Sequence, residues 1–233
     1  MNHMTAIVLA AGEGRRVGAA LSKSYLPLAG RPLVLRTLDR MFASPRIANV
    51  ILMVGAADFD RCQTMLRGDP ALKDRAWILQ IGGATRQESA RRGLEKISGA
   101  ADLVAIHDAA RPFVSVELIE RCVDAAAAHG AAVPGLPARD TIKIVSPEHW
   151  IETTPDRAGL WEIQTPQVFA RDLIVAAHAK AAQDRMECTD DAMVVERFGK
   201  PVFVVEGETT NIKVTVPEDL WFAEALLRQG RIA

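Results

Sequence analysis

Four short apolar runs mark the first half of the chain: Thr5–Ala11 (TAIVLAA), Asn49–Gly55 (NVILMVG), Ala76–Ile81 (AWILQI) and Leu103–His107 (LVAIH). Runs of this length with little polar alternation suit strands that are buried on both faces. Helical patterns over Pro32–Phe42, near Gln87–Ile97 and over Val116–Ala128 fall between and after them. A strand that returns parallel to its predecessor needs a crossover, and a helix is the usual one. The expected fold is therefore α/β: a single three-layer domain over residues 1–233, with a mainly parallel, Rossmann-like twisted sheet. The later chain adds helices at Arg171–Gln183 and after Thr189, a strand at Pro201–Val205, and a helix from Pro217 to Arg228. Proline fits the first turn of that last helix, and Glu218 and Asp219 complement its dipole.

One stretch breaks the alternation. Prolines at 134, 137, 147, 155 and 166 leave only short β-like pieces such as Thr141–Val145. Because proline cannot donate to a ladder, residues 134–166 are expected to stay out of the sheet, with an inserted β-arm over residues 137–160.

Composition bounds the partners. Hydrophobic residues make up 49% and charged residues 24%, the balance of a folded soluble domain. No run approaches the ~18 apolar residues of a membrane span, and no secretory signal precedes the first strand. Cys62, Cys122 and Cys188 lack the spacing of a disulfide framework or a zinc site. A cytoplasmic protein is expected. The net charge of −1 offers no global attraction to nucleic acid or to a membrane surface, so neither is expected as a partner.

The candidate chemistry lies in the loops that follow the strands. The first reads Ala10-Ala11-Gly12-Glu13-Gly14-Arg15-Arg16-Val17-Gly18. Its G-x-G-x-x-x-G spacing misses both the dinucleotide fingerprint and the phosphate loop, and a helical pattern resumes only near Pro32. What remains is a long glycine-rich loop whose backbone can approach a phosphate while Arg15, Arg16 and Lys23 wrap it. Only seven of the 28 basic residues are lysines, which singles out Lys23 and, late in the chain, Lys213 in Thr209–Thr215. A second loop, Ile81–Ser89, joins a strand to a helix through Gly82-Gly83. A third, His107-Asp108-Ala109-Ala110-Arg111-Pro112, ends the fourth strand with an acid suited to a hard cation such as Mg²⁺. Within the arm, Arg139–Lys143 and Asp156-Arg157 add charge. Taken singly, Arg111, Arg139 and Arg157 fit surface salt bridges equally well, and Asp108 fits a turn cap. Ligands of open parallel sheets bind beyond the carboxyl ends of the strands, which is where these loops gather.

The motifs LAAGEGRRVG, GGATRQES, HDAARP, RDTIK, DRAGLW with QTPQ, TDDA and NIKVTVPEDL occur in this order. Together they resemble the nucleotidyltransferases of glycosyltransferase-A-like fold, and most closely the 2-C-methyl-D-erythritol 4-phosphate cytidylyltransferase family of the non-mevalonate isoprenoid pathway. The resemblance spans residues 7 to about 220. It implies an enzyme that joins CTP to 2-C-methyl-D-erythritol 4-phosphate, forming 4-diphosphocytidyl-2-C-methyl-D-erythritol and pyrophosphate. It implies Arg16 and Lys23 as stabilisers of the transition state at the α-phosphate, and Arg157 and Lys213 as the pair that positions the acceptor. It further implies substrate contacts at Ala10, Ala11, Gly12, Gly14, Gly82, Arg86, Ser89, Asp108, Ala109, Arg111, Thr141 and Thr165, with Asp108 also at Mg²⁺. The arm is implied to reach across a homodimer and complete the neighbouring site. Ser22 and Ser24 flank Lys23 where the family usually carries proline and glutamine, and Ala84 stands where it is often acidic. Rival readings are a ribitol-5-phosphate cytidylyltransferase on the same scaffold and a non-catalytic nucleotide-binding module. A dehydrogenase would need an acid at the end of the second strand, where Gly55 stands.

Overall fold

The computed structural model describes residues 4–12, 22–98 and 101–230. The chain begins with β1 (Met4–Ala10), a two-residue ribbon of β2 (Pro27–Leu28) and β3 (Arg31–Pro32), α1 (Leu33–Ala43), β4 (Ile47–Val54) and α2 (Phe59–Gly68). It continues through β5 (Trp77–Ile81), α3 (Arg86–Leu94), β6 (Leu103–Asp108), α4 (Val116–His129) and β7 (Ala131–Pro137). Next come β8 (Ile144–Val145), β9 (Ile151–Thr153), β10 (Trp161–Ile163), β11 (Gln167–Ala170) and α5 (Arg171–Gln183). The last elements are α6 (Asp191–Arg197), β12 (Phe203–Glu206) and α7 (Pro217–Arg228).

β6, β1, β4 and β5 run parallel, in that spatial order, with Ile7 opposite both Ile106 and Ile51. β11 pairs antiparallel with β6 and with β7, and β12 lies parallel to β7, so the sheet is mixed but mainly parallel. Successive side chains of β1 point to opposite faces. Ala6, Val8 and Ala10 enter one core with Leu38 and Met41 of α1 and Leu118 and Cys122 of α4. Ile7 and Leu9 enter the other, with Ala90 and Leu94 of α3, Ile174 of α5 and Val195 of α6. This is the expected three-layer domain. Each fully buried Ile or Leu contributes about 1.5–3 kcal/mol relative to an exposed one, which is why β1 tolerates hardly any polar residue.

Local chemistry fixes the helix ends. Ser115 Oγ accepts a hydrogen bond from the Leu118 amide at 2.9 Å to start α4, and Gly130 ends it at φ +85°, where a side chain would be strained. α2 falls outside the sequence expectation; only Cys62 and Leu66 of it are buried, so its apolar stripe is too narrow to read as a period. No helix among the described residues is long and apolar enough to cross a membrane.

The expectation that residues 134–166 avoid the sheet is corrected. β7 carries Pro134 and Pro137 into the sheet, with β12 beside it and β10 and β11 also paired to it. The Pro134 carbonyl accepts from the Gln164 amide at 2.7 Å, and Pro134 has no N–H to leave unpaired, so the strand absorbs it. The chain does leave the sheet between β7 and β10. There β8 and β9 form a separate hairpin; of the expected β-like piece Thr141–Val145 only Ile144–Val145 is strand, and Thr141 lies in irregular, exposed chain ahead of it.

Candidate active site

The carboxyl ends of β1, β4, β5 and β6 meet on one edge of the sheet, at Ala10, Val54, Ile81 and Asp108. The backbone is drawn close together there. The Gly82 amide donates to the Val54 carbonyl at 2.8 Å, and a Cβ on Gly82 would lie 2.5 Å from Ala11 Cβ and 2.7 Å from Ser89 Oγ. Ser89 Oγ accepts from the Gly83 amide at 3.0 Å and donates to the Thr85 carbonyl at 2.9 Å. Thr85 caps α3 by accepting from the Glu88 amide at 3.0 Å. The expected Gly82–Ser89 loop is thus a fixed shelf at a helix N-terminus, where backbone amides and the helix dipole favour an anion.

Asp108 is the electrostatic centre. Its Oδ2 lies 2.6 Å from Lys213 Nζ and its Oδ1 3.3 Å from Arg86 Nε. Burial would raise its pKa, but the charges of Arg86, Lys213 and Arg111 outweigh burial and hold the carboxyl well below the usual range. Arg86 also reaches Asp191 Oδ2 with Nη1 at 2.7 Å, and Asp191 Oδ1 accepts from His178 Nε2 at 3.0 Å. Arg111 donates to the Asn211 carbonyl at 2.8 Å; its burial lowers its pKa, which the nearby Asp108 partly offsets.

Beneath this cluster the hydrogen bonds are fully directed. Burial lowers the His107 pKa to about 4, so the ring is neutral at pH 7. Its Nε2 faces the Arg111 carbonyl at 3.1 Å and must carry the proton, leaving Nδ1 to accept from Thr165 Oγ1 at 3.0 Å. Thr165 Oγ1 in turn accepts from the Asp108 amide at 3.1 Å, and its carbonyl accepts from Asn211 Nδ2 at 2.9 Å. Asn211 thereby ties the segment carrying Lys213 to the end of β6.

Several expected substrate residues thus have partners within the protein. Ala109 is fully buried, its amide donating to Leu9 and its carbonyl accepting from Thr37, while the Thr165 hydroxyl is spent on His107 and Asp108. Arg86 spans two carboxylates. Ala10, Ala11, Gly12, Gly82, Ser89, Asp108, Arg111 and Lys213 are gathered at or beside the edge. Lys23 lies in a 3₁₀ turn, Lys23–Tyr25, anchored by buried Tyr25. The Asp219 carboxyl at the start of α7 is raised by burial but lowered further by the Val216 and Thr215 amides, with Lys23's charge adding to the lowering. Gly14, Arg15 and Arg16 lie outside the described residues. Arg157 and Arg139, from the arm, line a cavity of about 690 Å³ together with Glu208–Thr210. The Arg157 guanidinium donates to the Arg139 carbonyl, and Thr141 stands apart on the exposed arm.

Asp191, His178, Gln164 and Asn211 were not singled out by their residue types, although TDDA, QTPQ and NIKVT contain three of them. Their partners lie 13 to 105 residues away in sequence, a separation that no local spacing reveals.

Among the described residues no group of three or more His, Cys, Asp or Glu could hold a metal. Mg²⁺ is often held by one or two carboxylates plus substrate phosphates; Asp108 is an ionised carboxylate at this edge whose two oxygens face Lys213 and Arg86.

An edge that offers fixed amides and cations around the pinned Asp108 carboxylate is equipped to neutralise and orient phosphates. On a doubly wound sheet, that is the architecture of a nucleotidyltransferase. Comparison with known proteins narrows this. Residues 4–229 match the family described as 2-C-methyl-D-erythritol 4-phosphate cytidylyltransferase. A protein of that name from Geobacillus kaustophilus is 45% identical over 222 residues, covering 95% of this chain and 96% of the relative. The crystal structure of 4-diphosphocytidyl-2C-methyl-D-erythritol synthase from Anaerococcus prevotii superposes with a TM-score of 0.85 at 33% identity, covering 97% of this chain and 96% of that one. The 2-C-methyl-D-erythritol 4-phosphate cytidylyltransferase of Thermus thermophilus gives 0.79 at 37% identity, covering 97% and 99%. The chain belongs to the 2-C-methyl-D-erythritol 4-phosphate cytidylyltransferase family and is a cytidylyltransferase.

Proposed function

We propose that the cleft takes CTP on the Gly82–Ser89 shelf and 2-C-methyl-D-erythritol 4-phosphate beside Lys213, and joins them in non-mevalonate isoprenoid precursor synthesis. An oxygen of the acceptor phosphate attacks the α-phosphorus in line. The bond to the β-phosphate oxygen breaks, and pyrophosphate leaves with the electron pair. No general base is required, because a phosphate monoester is already largely dianionic near neutral pH, its second pKa being about 6. The protein's contribution is position and charge: Lys23 with Arg16 at the α-phosphate, Lys213 with Arg157 at the acceptor. Asp108 keeps the Lys213 ammonium aimed along the sheet edge, at 2.6 Å. Asp108 is also the residue to hold a divalent ion, Mg²⁺, which when bound offsets charge on the triphosphate. The arm completes the cleft of a second copy, so that the active form is a homodimer.

The observation that carries this reading is the Lys213–Asp108–Arg86 row beside a glycine shelf that admits no side chain. Its test is pyrophosphate release from CTP with each acceptor in turn. Turnover is expected with methylerythritol phosphate and not with ribitol 5-phosphate; the reverse preference, or release with neither, overturns the assignment. Lys213→Ala and Lys23→Ala are each expected to lose ~10²–10³-fold in turnover while keeping a native circular dichroism spectrum.

A further inference from the structure

We infer that Asp191, at the start of α6, is a positioning residue for the transfer: it holds Arg86 away from full engagement with Asp108, and so leaves one oxygen of Asp108 to Lys213. This deepens the proposed function and rests on it only for the identity of the substrates.

The geometry is a relay of four contacts. Lys213 Nζ meets Asp108 Oδ2 at 2.6 Å; Asp108 Oδ1 meets Arg86 Nε at 3.3 Å; Arg86 Nη1 meets Asp191 Oδ2 at 2.7 Å; Asp191 Oδ1 meets His178 Nε2 at 3.0 Å. The two Arg86 contacts are unequal, and the short one goes to Asp191. Arg86 Nη2 is buried and has no partner among the described residues. A guanidinium in that position has a free donor edge, and its preferred partner is a carboxylate gripped by two parallel bonds. What keeps Arg86 from turning to grip both oxygens of Asp108 is Asp191. Asp191 is itself immobile: its side chain is fully buried, and its amide donates to Gln167 Oε1 at 3.0 Å, with the next amide donating to the same oxygen. His178, equally buried, fixes the other oxygen. Asp191 shares no hydrogen bond or ion pair with Lys213 among the described residues. Its effect there passes through one arginine and one carboxylate.

Neutralising Asp191 without changing its shape should release Arg86 toward Asp108 and loosen Lys213. With only seven lysines in the chain, Lys213 can be followed by NMR after labelling lysine Cε with ¹³C; Lys213→Arg identifies its signal by loss. Asp191→Asn is expected to move the Lys213 signal. It should raise the KM for the acceptor phosphate ~tenfold, the size usual for supporting residues around a site, and raise the KM for CTP, to whose shelf Arg86 belongs, by less. Arg86→Lys provides a second variant should Asp191→Asn fail to fold. Its single ammonium cannot span both carboxylates, so it must move the same signal, and adding Asp191→Asn to it should change nothing further. A Lys213 signal unmoved by these changes, or equal rises in both KM values, overturns the inference. If the wild-type protein turns over neither acceptor, the proposed function fails, while the NMR arm still decides whether the relay exists.

Discussion

His107 lies beneath the cleft with both ring nitrogens engaged, and its burial makes the folded protein reject a proton that the unfolded chain accepts. Its pKa is about 4 in place of the ordinary 6.5. The depressed value means that its contribution to stability is complete above pH 6.5 and is lost as pH falls toward 4, by about 3 kcal/mol at most. Urea midpoints at pH 7 and pH 4.5 are expected to differ for this reason, and His107→Asn should shrink the difference; a variant with the same acid sensitivity would contradict it. The second single-residue prediction concerns Gly82. An added methyl would lie 2.5 Å from Ala11 Cβ, and that neighbour is itself held at the strand edge. Gly82→Ala should therefore destabilise by about 1–3 kcal/mol and weaken CTP binding, read by urea unfolding and by calorimetric titration. The glycine was legible in the sequence as a loop signal. That Ala11 and Ser89 are what crowd it was not, because they arrive from another strand and from a helix.

At the scale of elements, the arm carries a cluster of exposed apolar side chains, as α7 does at Trp221 and Phe222. The hairpin of β8 and β9 exposes Trp150 at 75% and Ile151 at 63%, with Ile144 and Val145 about half exposed. Apolar side chains grouped this way normally lie under a partner surface. Under the proposed dimer, Trp150→Ala with Ile151→Ser should shift sedimentation from dimer toward monomer and reduce turnover in parallel; an unchanged sedimentation coefficient would remove the arm from the interface. Helices with clear periods were readable: α4 runs one residue past its expected end, and α5 and α7 fall at their expected residues. α2 was not, because two buried residues make no stripe, and β7 was not, because the proline rule describes what a residue cannot donate and says nothing of a carbonyl that can still accept.

At the scale of the whole molecule, the cleft draws on residues from both ends of the chain, and in the proposed dimer from two chains. Arg157→Ala and Lys213→Ala proteins should each be nearly inactive alone. If the arm acts across the dimer, mixing and re-equilibrating them restores about a quarter of wild-type turnover, because half of the dimers carry one intact site. No recovery would mean that each arm serves its own cleft. The strand runs, the start of the last helix and the order of the glycine and acid motifs followed from the amino-acid sequence alone, since each depends on neighbours within a few residues. The pairing of Asp108 with Lys213 and Arg86, the partnership of Asp191 with His178 and the tie from Asn211 to Thr165 were decided by tertiary structure. Parallel crossovers bring distant residues to one sheet edge, and a charge finds its partner by proximity in space.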